Sequence, residues 1–179
     1  PRAVLNFDYQ EMPTSIVVWT DTTFAGCQVT RKSTKGGVLK FGTHLIKTWS
    51  STQNSVALSS GEAEYYGIVY GSSHGICVRN VLSSWGLNVG LEVKTDASAA
   101  KGICSRRGCG KIRHIEVREL WLQERVASGE IRVTKIPRAV NLSDCLTHHV
   151  SSSEIGRSLE SMAVVVSASR HELAPHIGE

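Results

Sequence analysis

The sequence predicts an α/β domain, a mixed sheet with helices on its faces, and three observations carry that prediction. Short β-branched runs alternate with longer helical patterns in the order β-β-β-α-β-α-α-β-α, without an internal repeat. Two of the strands run straight into an aspartate, SIVVWT into Asp21 and LEVKT into Asp96. A chain of 179 residues with 41% hydrophobic and 20% charged content is long enough to bury one real core.

The elements follow in chain order. SIVVWT at 15–20 is β-branched and aromatic and delivers Asp21 at the carboxyl end of a strand. GGVLKF at 36–41 and HLIKTWS at 44–50, joined through Gly42 and Thr43, suit an antiparallel hairpin and complete a meander. SSGEAEYYGIVYGSSHGICVRNVLSSWG reads as one helix or two ending at Gly86, with Ser59 as cap and Glu62 three residues on, the spacing of a capping box. LEVKTD at 91–96 is a further strand, and DASAAKGI is a helix entered from Asp96. HIEVRELWLQERVASGE places apolar residues at Ile115, Val117, Leu120, Trp121 and Leu122 and stops at Gly129, which predicts a helix. IRVTKIP is the last strand, and Asn141 or Ser143 can cap a short terminal helix carrying Asp144 and Leu146. The domain so defined spans 1–150. Residues 151–179 give no firm pattern beyond a short helix around 154–166 and are expected to form a peripheral C-terminal extension.

Bulk properties narrow the function. No run approaches the ~18 apolar residues of a membrane span, and PRAVLNFDYQ lacks the layout of a signal peptide, so an intracellular domain in the cytoplasm or nucleus is expected, and as an isolated domain a monomer. The first residue, Pro1, suggests an excised domain or a product cut from a longer polypeptide. Cys27, Cys77, Cys104, Cys109 and Cys145 are scattered, without a zinc-binding spacing, and are expected as free thiols. Net charge is +4, and the basic excess between Lys101 and Arg138 favours a polyanionic partner.

The acids carry the chemistry. Aspartates at the carboxyl ends of two adjacent strands come close together and repel unless a cation or a proton lies between them; hard oxygen ligands suit magnesium or manganese. Glu62 and Glu64 lie about 200° apart around a helix axis, so only one faces such a site. Glu64 shares its stripe with Ser60, Gly61, Gly67, Ile68 and Gly71, small residues that let the helix approach the sheet, whereas Glu62 suits the positive helix N-terminus. Each acid by itself is as readily a turn or cap residue. Their joint order is what points to a site.

WTDTTFAGC, TRKSTKGGVL, KTWSSTQNSVALSSGEAEYYG, KTDASAA, KIRHIEVRELWLQERVASGEI and NLSDCLT together resemble the ribonuclease H domain of copia-type LTR retrotransposon polyproteins, over most of 15–147. The resemblance implies a ribonuclease H-like fold with a five-stranded mixed sheet, an antiparallel meander plus parallel strands. It implies that Asp21, Glu64, Asp96 and Asp144 are the catalytic, metal-binding acids, and that two Mg2+ ions, with Mn2+ a possible substitute, are the cofactor. It implies hydrolysis of the RNA strand of RNA:DNA hybrids to 5′-phosphate and 3′-hydroxyl ends during retrotransposon reverse transcription, beside an attached or associated reverse transcriptase. Arg106, Arg107, Lys111, Arg113 and His114 are the expected strand contacts, with Arg31, Lys32 and Lys35 as further ones.

The chain departs from the pattern in three places. Thr23 stands where relatives often carry a second acid. Arg138, Ala139, Val140 and Asn141 occupy the stretch where the wider family often has a helper histidine. His148, His149 and Val150 replace the usual Lys-Pro-Leu, and the histidine pair is expected to be exposed and non-catalytic. A decayed ribonuclease H fold that binds nucleic acid or a polymerase without cutting, and an integrase-like nuclease, are the rival readings.

Overall fold

The computed structural model describes residues 2–110, 115 and 117–168. Its strands are β1 Arg2–Leu5, β2 Ser15–Thr23, β3 Thr34–Phe41, β4 His44–Thr52, β5 Gly90–Thr95, β6 Arg132–Lys135 and β7 Val164–Ser167. Its α-helices are α1 Ser60–Ser84, α2 Ser98–Cys104, α3 Trp121–Ala127 and α4 Ser152–Ser161. Five strands form one sheet in the order β4-β3-β2-β5-β6. β2 pairs antiparallel with β3 and β3 with β4, while β5 is parallel to both β2 and β6.

β2 is the central strand. Ile16, Val18 and Thr20 are buried on the face that meets α1. A Cβ on Gly67 would lie 2.6 Å from Thr22 Oγ1, one on Gly71 2.5 Å from Thr20 Cγ2, and one on Gly75 2.5 Å from Leu91 Cδ1. This glycine row at helical spacing therefore sets how closely α1 lies on β2 and β5. α1 is a single helix of 25 residues. Ser59 Oγ accepts from Glu62 N, Glu62 Oε2 accepts from Leu58 N at 2.8 Å, and Gly86 at φ +83° turns the chain out of the helix. The main core joins Ile16, Val18, Leu39, Tyr65, Ile68, Val93, Ile103, Leu122 and Ile131. On the other face Val38 and Leu45 meet Met162 and Val164, with Trp19, Leu142 and Leu159 packed around them.

The structure departs from several sequence expectations. β2 does not end at Asp21. Its parallel pairing with β5 stops at Trp19 opposite Lys94, but antiparallel pairing with β3 continues to Thr23 opposite Thr34, so Asp21 lies within the strand beyond its last β5 partner. α2 begins at Ser98, two residues after Asp96. Of the helix expected over 114–130, residues 114 and 116 lie outside the described residues, and the described part is a 3-10 turn at Val117–Glu119 followed by α3, because Glu119 O accepts from Tyr65 Oη at 2.7 Å and Gln123 N donates instead to Leu120 O. The terminal helix is a single 3-10 turn at Asp144–Leu146. β1 lies in a segment to which the sequence pattern assigns no element; it pairs antiparallel with β7 as a separate two-stranded sheet. Cys27, Cys77, Cys104, Cys109 and Cys145 are free thiols, and no described helix is long and apolar enough to cross a membrane.

Gly71→Ala tests the approach of α1. Alanine favours a helix interior by ~1 kcal/mol over glycine, but its methyl group must enter a contact with Thr20 and Val18 that is already closed, and overpacking a core costs about 1–3 kcal/mol. Overpacking wins, so the variant is expected to have a lower denaturation midpoint in urea.

Candidate metal centre

Three elements converge where β2 and β5 part. Asp21 lies in β2, Glu64 in the first turns of α1, and Asp96 directly after β5. Thr95 is buried and its Oγ1 accepts from Ala97 N at 3.1 Å, which closes the turn that holds out Asp96. One carboxylate oxygen from each of Asp21, Glu64 and Asp96 lies within 4.8 Å of the others. Glu62 is elsewhere, at the helix N-terminus, where its Oε1 accepts from Tyr66 Oη at 2.9 Å.

The fourth acid reaches the site from the opposite direction. Asn141 is buried against β2, where its Nδ2 donates to Thr20 O at 3.1 Å and its Oδ1 accepts from Ser143 Oγ at 2.7 Å. Ser143 makes no side-chain cap bond, so Asn141 fixes this turn. Gly36, opposite Asp21 in β3, completes the approach: a Cβ there would stand 2.6 Å from Thr147 Cγ2 and 3.2 Å from Ser143 O. The turn thus lies directly over the sheet, and Thr147 Oγ1 donates a short hydrogen bond to Asp21 Oδ2. Asp144 Oδ1 is 2.9 Å from Arg138 Nε, a largely exposed ion pair that orients the carboxylate more than it stabilises the fold. Asp144 groups with Asp21 and His148, not with Glu64 and Asp96, so Asp21 is shared by two clusters.

His148 corrects the expectation of an exposed pair. Its side chain is 32% exposed, and Nδ1 lies 3.3 Å from Asp21 Oδ2 and 3.4 Å from Asp144 Oδ1, while His149 is exposed. The 3-10 turn through Asp144 folds the chain back and carries His148 to its own acid four residues earlier, a proximity that an irregular segment does not reveal in sequence. Gly36 did leave a signal: consecutive glycines weaken a strand unless another group must approach its backbone. Among the expected strand contacts, Arg107 is exposed, whereas Arg106 turns into its own loop and donates to Cys109 O at 2.7 Å. Lys111, Arg113 and His114 lie outside the described residues. Lys35 is stacked over the Tyr70 ring at 3.8 Å, Arg31 is exposed and Lys32 is half-buried.

The electrostatics suit a cation. Glu64 Oε2 is buried without a hydrogen-bond partner. Burial, then the charges of Asp21 and Asp96, push the pKa of Glu64 up to about 9, and burial followed by Asp21 raises that of Asp96. An orphaned carboxylate oxygen among hard donors suits a divalent cation, and two groups of side chains could hold one: Asp21 with Glu64 and Asp96, and Asp21 with Asp144 and His148.

Two predictions follow from this geometry. A raised carboxyl pKa means that the folded chain holds a proton the unfolded chain has released, so the stability contributed by Glu64 is complete below the ordinary carboxylate range and is lost as pH rises through about 9. Without metal, the Tm should fall as pH rises across this window, and Glu64→Gln should flatten the fall; Mg2+ should raise the Tm of the parent at alkaline pH far more than that of the variant. Gly36→Ala should displace the Ser143–Thr147 turn, cost about 1–3 kcal/mol in chemical denaturation, and weaken the Mg2+-induced rise in Tm.

No protein-family model matches the chain. In sequence it is 31% identical over 131 residues to the retrovirus-related Pol polyprotein from transposon TNT 1-94 of Nicotiana tabacum, covering 72% of this chain and 10% of the polyprotein. It is 27% identical over 140 residues to the corresponding polyprotein from transposon RE1 of Arabidopsis thaliana, covering 76% of this chain and 10% of that one. The chain spans about a tenth of the length of these curated relatives. In structure it is similar to LC11-RNase H1, isolated from compost by a metagenomic approach, with a TM-score of 0.50 and 17% identity over 82% of this chain and 99% of that one. The chain has the ribonuclease H fold, and its sequence relatives are retrovirus-related Pol polyproteins of plant transposons.

Proposed function

We propose that this chain is a ribonuclease H domain of a copia-type element, hydrolysing the RNA strand of RNA:DNA hybrids to 5′-phosphate and 3′-hydroxyl ends. The observation that carries the reading is the convergence of Asp21, Glu64 and Asp96, joined through Asp21 to Asp144. Such a cluster destabilises the metal-free fold, and a site for divalent cations accounts for it. The ribonuclease H fold and the Pol polyprotein relatives support the same reading, and they favour a role in reverse transcription beside a polymerase domain.

Bound divalent cations supply activation of the attacking water and neutralise charge on the phosphate and the leaving oxygen. The chain's part is to hold and orient. Asp21, fixed in mid-strand and hydrogen-bonded by Thr147, is the shared carboxylate. Glu64 and Asp96 hold the inner side of the site, and Asp144 is aimed from the solvent side by Arg138. Hybrid recognition falls to exposed basic residues, with Arg107 the best placed of the described candidates and Lys111, Arg113 and His114 retained from the sequence.

The test is cleavage of an end-labelled RNA:DNA hybrid in Mg2+, with duplex DNA and duplex RNA alongside. The parent should cut only the RNA strand of the hybrid, and Asp96→Asn should be slower by about 10²-fold or more. A parent that binds the hybrid and leaves it intact would instead be a binding module, and cutting of duplex DNA would make it a nuclease of another specificity.

A further inference from the structure

The imidazole of His148 is placed more deliberately than a chance neighbour of two acids. Its Nδ1 faces three oxygens: Thr147 Oγ1 at 2.8 Å, Asp21 Oδ2 at 3.3 Å and Asp144 Oδ1 at 3.4 Å. The Thr147 hydroxyl proton is directed to Asp21 Oδ2, so what this hydroxyl turns toward Nδ1 is a lone pair. On the far side of the ring, Nε2 is 3.5 Å from Thr23 Oγ1, which spends its own proton on Thr147 O at 2.5 Å and is left as an acceptor. With acceptors on both sides of the ring, Nδ1–H is the favoured donor toward the acids in the metal-free chain; a cation between the two carboxylates would take that proton's place, with Nε2–H then directed to Thr23 Oγ1. Metal-bound histidines are oriented in this way, one ring nitrogen donating to an oxygen while the other faces the metal.

Thr23 and His148 make sense together. The Thr23 hydroxyl supplies the outer partner of the ring. A point bounded by two carboxylates and an imidazole nitrogen needs a proton or a metal cation between them, and a divalent cation answers both carboxylates at once. The donor atoms of Asp21, Asp144 and His148 lie within 4.8 Å of one another, close to the roughly 4.2 Å spanned by opposite ligands on bonds of about 2.1 Å.

We propose that His148 Nδ1 is a nitrogen ligand to the divalent cation shared by Asp21 and Asp144, which biases that position toward Mn2+ and other metals that accept imidazole, relative to Mg2+. The proposal rests on the metal-dependent reading above and specifies which metal its second position prefers. Carboxylates and water serve Mg2+ and Mn2+ alike, whereas an imidazole nitrogen adds affinity for transition metals and little for Mg2+. The neighbouring His149 is exposed and takes no part.

The experiment uses Mn2+ as probe on the full chain. Electron spin-echo modulation of bound Mn2+ should show a directly bonded nitrogen that changes from the 14N to the 15N pattern when the parent is made with 15N-histidine. This reading needs no substitution and so does not depend on any variant folding. His148→Ala should lose that nitrogen and bind Mn2+ about tenfold or more weakly, with Mg2+ affinity changed less than about twofold. His149→Ala should match the parent in both. Absence of histidine nitrogen on Mn2+ in the parent, its persistence in His148→Ala, or equal Mn2+ and Mg2+ losses in that variant would overturn the assignment. Hybrid cleavage by the same samples reads the ribonuclease proposal separately. A parent that holds Mn2+ through His148 but leaves the hybrid intact keeps the ligand and overturns the ribonuclease; one that cuts the hybrid with no histidine on its metal does the reverse.

Discussion

Like-charge repulsion at the parting of β2 and β5 is the constraint around which the rest of this structure is arranged. Three carboxylates within 4.8 Å of one another destabilise a fold that holds no cation, and the burial of Glu64 makes the repulsion worse by removing the water that would screen it. The fold meets part of this cost with a proton, through the raised pKa of Glu64, and part with the Thr147 hydrogen bond to Asp21 and the Arg138 ion pair to Asp144. A divalent cation can take over all of these roles at once. Stability and metal binding are therefore one problem in this chain.

Close approach from both faces of the central strand is what allows the cluster to exist. On one face, Gly67, Gly71 and Gly75 let α1 lie on β2 and β5, which brings Glu64 into reach. On the other, Gly36 lets the Ser143–Thr147 turn lie over the strand beside Asp21, and Asn141 anchors that turn to Thr20 O. The segment beyond the turn adds a second, smaller core, in which Met162 and Val164 cover Val38 and Leu45. Together these contacts hold Asp144 and His148 from behind.

Periodicity made the scaffold legible because local physics writes it. β-branched runs, the Ser59–Glu62 cap and the glycine row of α1 are properties of residues a few positions apart, and the meander, the long helix and the parallel strands follow from them. The helix expected over 114–130 starts late because the Tyr65 hydroxyl, 54 positions away, takes the Glu119 carbonyl. β1 and β7 pair across almost the whole chain, and neither run carries a signal that names its partner. Asp21 is set within β2, not at its end, because β3 continues where β5 stops.

By itself the sequence determined the order of the elements that build the five-stranded sheet and its flanking helices, and helical phase preferred Glu64 to Glu62, because spacing along a strand or helix dictates which side chains share a face; Asp144 was singled out by the resemblance and not by spacing. Only the tertiary structure decided how the four acids divide: Glu64 and Asp96 on one side of Asp21, Asp144 on the other. It also placed His148 between Asp21 and Asp144 and gave its far nitrogen a partner in Thr23. The physical reason is distance along the chain. Thr23 and His148 are 125 positions apart, and only the packing of an irregular turn onto a glycine-opened strand brings them together.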